Sequence, residues 1–168
     1  MHERQQFSTF YLDGLLFGVQ VSQVQEVIRY QHMTRVPLAS GEVQGLINLR
    51  GQIVTALDLR RRLNIKERSS DRLPMNVVVR SGEEAVSLLV DEIGDVLEVD
   101  NDAFERPPET LQGEARQLIR GAYKLTHRLL LVLDTEKVVN LTTDGNRKLG
   151  GQISIGSEKD SDADYSHP

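Results

Sequence analysis

Apolar residues in this chain gather in short runs, some alternating with polar residues and some unbroken, with turn-forming residues between them. Such runs, bounded by Gly, Asp, Asn or Ser, read as β-strands. Strands are therefore predicted at 7–12, 15–21, 47–49, 52–57, 75–80, 85–90, 119–125 and 128–133. The pairs Asp13-Gly14 and Ser81-Gly82 fall between consecutive runs and mark tight hairpins. Apolar positions three or four apart occur mainly in short pieces, at 22–27, 59–63 and 135–139, which read as helical connectors and caps. Many short strands with little helix predict an all-β sandwich or barrel.

The chain also repeats itself. A shift of 76 places Gly45, Leu49, Leu57 and Asp58 on Gly121, Leu125, Leu133 and Asp134. A shift of 69 places Phe17, Val19 and Val21 on Val86, Leu88 and Val90, and Val24, Glu26 and Val27 on Ile93, Asp95 and Val96. Seven additional residues in the second half, around Pro107-Pro108, reconcile the two shifts. The repeat predicts two similar β-barrels, about 7–70 and 75–141, with strands open to exchange between them. Units of about 65 residues bury too little surface to be robust alone, so a shared core is expected. Closed barrels leave few free edges, which predicts a monomer in isolation.

Composition narrows the function. The 168 residues carry 20 basic and 25 acidic side chains, a net charge of −5, which is the wrong sign for a nucleic-acid partner. Part of that excess lies near the C-terminus, at Glu158, Asp160, Asp162 and Asp164, in a Gly-rich stretch (145–168) expected to be a disordered acidic tail. There is no cysteine, and the longest aliphatic run, 129–133, is far too short for a membrane span. No apolar leader stands at the N-terminus, so a cytoplasmic protein without direct membrane insertion is expected.

The usual catalytic constellations do not assemble from local spacing. His2, His32, His127 and His167 are scattered, and neither a P-loop nor a dinucleotide fingerprint is present. The acidic stretch from Asp91 to Glu105 fails as a calcium loop, because counting from Asp100 the sixth and twelfth positions are Glu105 and Leu111 in place of Gly and Glu. Asp58 and Asp134 each end a strand before a short helix, where a carboxylate serves as an N-cap. Arg60-Arg61-Arg62 fans around a helix and reads as solvated surface. No enzyme, cofactor or metal is expected.

One stretch is more specific: Val43-Gln44-Gly45-Leu46-Ile47-Asn48-Leu49-Arg50-Gly51, leading to Leu57-Asp58-Leu59-Arg60. With Phe17-Gly18-Val19, Val24-Gln25-Glu26-Val27, Val36-Pro37, Leu89-Val90-Asp91-Glu92 and Ile119-Arg120-Gly121, it resembles the CheW-like chemotaxis coupling proteins over about 7–141. The chain departs from the family's signature at Thr55, where a proline is expected. The resemblance implies one domain of two five-stranded, SH3-like β-barrels around a common hydrophobic core. It implies an adaptor joining the cytoplasmic hairpin of a methyl-accepting chemoreceptor to the regulatory domain of a chemotaxis histidine kinase, recruited to membrane-associated receptor arrays. It also implies barrel ends that pair pseudo-symmetrically with the kinase, in alternating rings.

By family motif, receptor contact falls on Val24, Glu26, Val27, Gly45, Asn48, Arg50 and Val96. Arg50 is the leading candidate, since a guanidinium fork can hold a carboxylate or helix C-terminal carbonyls and Gly51 permits a turn with positive φ. The plainer alternative is that Arg50 decorates a hairpin tip, and that Gly45 and Gly51 serve the backbone. Other readings are an adaptor in a surface-motility or second-messenger array, a single-strand-binding small barrel, and a ligand-binding barrel with a polar pocket.

Overall fold

The computed structural model describes residues 3–66 and 71–140, so the expected acidic tail at 145–168 lies outside the described residues. Eleven strands and three short helices are arranged in two sheets. Strands β1 (Arg4–Leu12), β2 (Leu15–Gln20), β3 (Val24–Ile28), β4 (Val43–Leu49) and β5 (Gln52–Asp58) lead to helix α1 (Leu59–Arg62). Next come β6 (Met75–Ser81), β7 (Glu84–Val90), β8 (Glu92–Asp100) and β9 (Phe104–Glu105). Helix α2 (Gly113–Leu118), β10 (Ile119–Lys124), β11 (Leu129–Leu133) and α3 (Thr135–Val139) complete the chain.

The sheets do not follow the halves of the sequence. One has the order β3-β6-β7-β5-β4 and the other β8-β1-β2-β11-β10-β9. Each half has exchanged its first hairpin: β6–β7 sits in the sheet of β3, β4 and β5, and β1–β2 sits with β8, β10 and β11. The repeat survives this exchange residue for residue. Thr55 opposite Val86 corresponds to Leu131 opposite Phe17, and Val24 opposite Val79 corresponds to Ile93 opposite Phe10. Even the bulges correspond, at Val43/Gly45 and Ile119/Gly121. Strand β9, absent from the sequence reading, matches the isolated bridge of Thr34 to Leu46 in the other sheet.

Three apolar clusters explain why the sheets stay together. Ile47, Val54, Ala56, Val78 and Leu89 fill the first barrel, and Phe7, Leu16, Tyr123, Leu130 and Val132 fill the second. Between them lies a larger shared cluster, including Phe10, Phe17, Leu57, Val77, Val79, Leu88, Leu131 and Leu133. Successive side chains on a strand point to opposite faces, so β6, β7 and β11 feed an internal cluster with one face and the shared cluster with the other. That two-sided burial is why 129–133 and 77–79 read as unbroken apolar runs.

Two expectations need correction. Residues 22–27 form a 3₁₀ turn, Val21–Gln23, followed by strand β3, and no α-helix. The bulge between Val24 and Glu26 adds one residue to the alternation and puts apolar Val24 and Val27 three apart, which mimics helical spacing. Strand β8 escaped for the same reason, with its irregularity opposite Ser8/Phe10. The second correction concerns the arginine run, of which Arg60 and Arg62 are buried. Arg62 Nε donates to the Val138 carbonyl at 2.9 Å, and Nη2 to the carbonyls of Lys137 and Asn140, satisfying the C-terminal end of α3. The aspartates do cap. Asp58 accepts from the Arg60 and Arg61 amides, and Asp134 from the Lys137 amide.

Arg60 holds the junction between the barrels. Its Nε and Nη2 donate to the two carboxylate oxygens of Asp91, which sits between β7 and β8 where the chain passes from one sheet to the other. Asp91 Oδ2 also accepts from the Asp13 amide at 2.8 Å, tying down the β1–β2 turn. The Asp91 carboxylate holds Arg60 more firmly protonated than usual, against the opposing effect of burial. Both side chains are more than four-fifths buried. Asp91→Ala is therefore expected to cost about 3 kcal/mol, because it leaves a buried guanidinium without its counter-charge. Urea denaturation measures this, and a cost below about 0.5 kcal/mol would mean that the pair behaves as an exposed one.

Candidate functional site

Strands β4 and β5 are joined by a two-residue turn in which Arg50 and Gly51 both have positive φ, 52° and 89°. That is the backbone of a type I′ hairpin, and a glycine adopts it freely whereas an arginine does so with strain. Asn48 supplies the compensation, its Oδ1 accepting from the Gly51 amide at 2.8 Å. The arginine is thereby aimed, and its Nη2 donates to the Glu26 carboxylate on β3.

The pair is asymmetric. The Arg50 side chain is 72% exposed and that of Glu26 20%. Glu26 is braced from its own strand, since Gln25 Nε2 approaches its carboxylate at 3.5 Å and Gln25 Oε1 accepts from Arg80 on β6 at 3.0 Å. The Arg50 guanidinium beside Glu26 holds the carboxyl below its ordinary range, and the carboxylate in turn keeps Arg50 charged. Two exposed apolar residues lie on the neighbouring backbone: Val27 is 37% exposed, and Ile53, paired across the hairpin with Asn48, is 58% exposed. The result is a fixed cation, open to solvent on one side, with Ile53 near it on the hairpin and Val27 on the opposite face of β3 from Glu26. Among the described residues no group of side chains could hold a metal ion.

The motif residues divide in this geometry. Glu26, Asn48 and Arg50 come together, with Val27 beside Glu26 in the chain. Val24 is half-buried against the shared cluster. Val96 stands apart on β8 in the other sheet, at the repeat position of Val27, and is 60% exposed. Val24 and Ile93 both pack on the shared cluster, so β3 and β8 leave the junction from equivalent points. Val27 and Val96 lie three residues further out, about 10 Å along each strand. Gly45 is buried and offers no surface for direct contact. A Cβ there would meet the Thr34 carbonyl oxygen at 2.7 Å and the Met33 Cβ at 3.0 Å, so the glycine lets residues 33–34 cross the bulge. Gly121 does the same beneath β9. Sequence reasoning passed over Ile53, Gln25 and Arg80. Ile53 had looked like an ordinary strand residue, and the two polar ones matter only through a cross-strand contact.

The family description of the CheW-like domain matches residues 6–142. This chain belongs to the CheW-like family. Two curated relatives extend the match. The "Chemotaxis protein CheW" of Bacillus subtilis (strain 168) is 31% identical over 131 residues, covering 78% of this chain and 84% of the relative. That of Klebsiella aerogenes is 30% identical over 136 residues, covering 81% and 82%. Among solved structures, the scaffolding protein TtCheW from Thermoanaerobacter tengcongensis superposes with a TM-score of 0.78 at 23% identity, over 88% of this chain and 99% of the other. At that identity the likeness speaks for the fold, two SH3-like β-barrels, as expected from the CheW-like resemblance. Within the CheW-like domain, Thr55 stands buried in the middle of β5, paired with Leu46 and Val86.

The lowered Glu26 value sets a sign. The contribution of the Glu26–Arg50 pair is present above the ordinary glutamate value of 4.5 and is lost as pH falls through the lower folded-state value. Carboxyl NMR titration is expected to place the Glu26 midpoint below 4.5 in the native chain, and Arg50→Gln to move it upward. An unmoved midpoint would mean the two groups are not paired in solution. Gly45→Ala is expected to cost about 1–3 kcal/mol through overpacking against residues 33–34. Thermal unfolding reads that cost, and the Glu26 midpoint should stay where it was.

Proposed function

We propose that this chain is a non-catalytic scaffold of chemotaxis signalling, coupling the cytoplasmic hairpin of a methyl-accepting chemoreceptor to the regulatory domain of a histidine kinase. The carrying observation is the braced Glu26–Arg50 pair, open to solvent on the arginine side, in a chain of the CheW-like family. The relatives' own names, chemotaxis protein and scaffolding protein, point the same way.

The physics suits a helical rod. An antiparallel helical hairpin presents ridges of apolar side chains with carboxylates and carbonyls at intervals, and exposed valines on this surface can take such a ridge. Arg50 supplies the register. Its fork can bond a partner carboxylate on the open side while Glu26 holds the other, so the cation is positioned before the partner arrives. Val27 and Val96, at matching places in the two barrels, supply the apolar contact, with Val24, Gly45 and Asn48 acting from behind to shape the strand and turn. Residues 7–141 work as one unit, in the cytoplasm, gathered to receptor arrays. The kinase engages barrel ends, and the duplication lets adaptor and kinase alternate in a ring.

Arg50→Glu reverses the charge at an exposed turn and puts two carboxylates together. In pull-downs with a receptor cytoplasmic hairpin and a kinase regulatory domain from the same organism, the variant is expected to lose about tenfold or more of its receptor affinity while keeping the kinase. Its melting temperature, compared with wild type, shows whether folding is intact. If the wild-type chain binds neither partner, the coupling role is wrong. If it binds both and the variant loses nothing, the site lies elsewhere.

A further inference from the structure

A cleft opens on the second barrel. With a volume of 320 Å³, it lies against β1, β2, β9 and β10, lined among others by Gln5, Gln20, Phe104, Arg120 and Tyr123. Pockets that bind small molecules start at about 300 Å³. The repeat provides an internal comparison. At the positions of Gln20, Phe104 and Tyr123 the first barrel has Leu89, Met33 and Ile47, and all three belong to or pack against its apolar cluster. Positions that feed the apolar cluster of the first barrel therefore line a cleft in the second, with a glutamine in place of Leu89 and aromatic rings in place of Met33 and Ile47.

The lining has a consistent chemistry. Two rings form one wall, Phe104 and Tyr123 with centroids 5.1 Å apart and tilted by 54°. Gln20 Nε2 donates to Gln5 Oε1 at 2.7 Å, which leaves the Gln5 amide nitrogen as a donor. Arg120 is the only charged residue of the lining and makes no hydrogen bond or ion pair with another described residue. Its charge reaches the Tyr123 hydroxyl and opposes the burial that chiefly raises that group's pKa, while the Asp100 carboxylate acts on the same hydroxyl in the direction of burial. The hydroxyl itself donates to Asn101 Oδ1 at 3.3 Å and so is not free for a ligand. No carboxylate lines the cleft.

We propose that this cleft is a binding site for a carboxylate carried on a flat apolar body, with the anion on Arg120 and Gln5 and the flat group against Phe104 and Tyr123. A guanidinium without a counter-ion beside an amide donor selects the anion, and the ring wall selects a planar group by offset or edge-on contact. This inference is independent of the coupling role and asks for no partner. Two sources offer the same chemistry: a free arylacetic acid, and the terminal carboxylate of a peptide ending in phenylalanine.

The test follows amide NMR shifts of the full chain on titration with phenylacetate, with its neutral amide, and with the tripeptide Ala-Ala-Phe. Phenylacetate is expected to shift residues around Gln5, Arg120 and Tyr123 with a Kd on the order of 1 mM, as suits a small ligand. The neutral amide is expected to bind about tenfold more weakly, the difference made by a charge-assisted contact. A response to the tripeptide alone would assign the site to a peptide terminus, and a response to phenylacetate would assign it to a free acid. Arg120→Gln, at an exposed position, should remove the preference for the acid and leave the amide unchanged. Equal binding of acid and amide, or no shift at the cleft from any probe at about 10 mM, overturns the proposal.

Discussion

The architecture rests on strands that are apolar on both faces. A strand of this kind cannot end its burial at one barrel, because the outer face of β7 or β11 would be left in water. The shared cluster is the only cover the described chain provides for those faces. With each buried aliphatic side chain contributing roughly 1.5–3 kcal/mol, leaving that cluster open would exceed the 5–15 kcal/mol by which an ordinary domain is stable. Everything else is arranged around this joint. The chain crosses between sheets beside it, Arg60 and Asp91 anchor one crossing, and β3 and β8 run outward from it on equivalent paths.

Two arginine–carboxylate pairs show how burial changes what such a pair does. Arg60–Asp91 is enclosed and shares its carboxylate with a backbone amide, so losing one member strands a charge. Arg50–Glu26 is open on the arginine side, and an exposed pair contributes little to stability. Its structural surroundings nevertheless go to some length to maintain it. An arginine is held at positive φ, an asparagine closes the turn beneath it, and a chain of polar contacts from Arg80 through Gln25 steadies the carboxylate. On the proposed coupling role, that strain holds the side chain ready for its partner.

The strands without an internal bulge of their own, most hairpin turns, the helix caps at Asp58 and Asp134 and the duplication were legible in the sequence, because each rests on local patterning or on comparing the chain with itself. Strands β3 and β8 were not, since their bulges break the alternation that identifies a strand. The buried arginines were missed because their partners, Asp91 and the carbonyls at the end of α3, are far away in the chain. Within the site, the motif singled out Arg50 and Glu26, but their pairing needed the β4–β5 tip to meet β3. For Gly45, the sequence could not show that residues 33–34 pass over it. The cleft of the second barrel was invisible, as it depends on Gln20 occupying a place that Leu89 fills in the other barrel.

The exchanged hairpins also govern when this protein can become folded. Strand β1 pairs with β8, and β2 lies parallel to β11, so β1 and β2 must wait for β11, made much later, before their sheet is whole. On a ribosome delivering about 5–20 residues each second, the opening hairpin spends several seconds with its apolar faces uncovered. A topology so dominated by distant pairings also folds slowly once the chain is free. The same interlocking gives the finished molecule an indivisible character, because neither half of the polypeptide holds all the strands of either barrel.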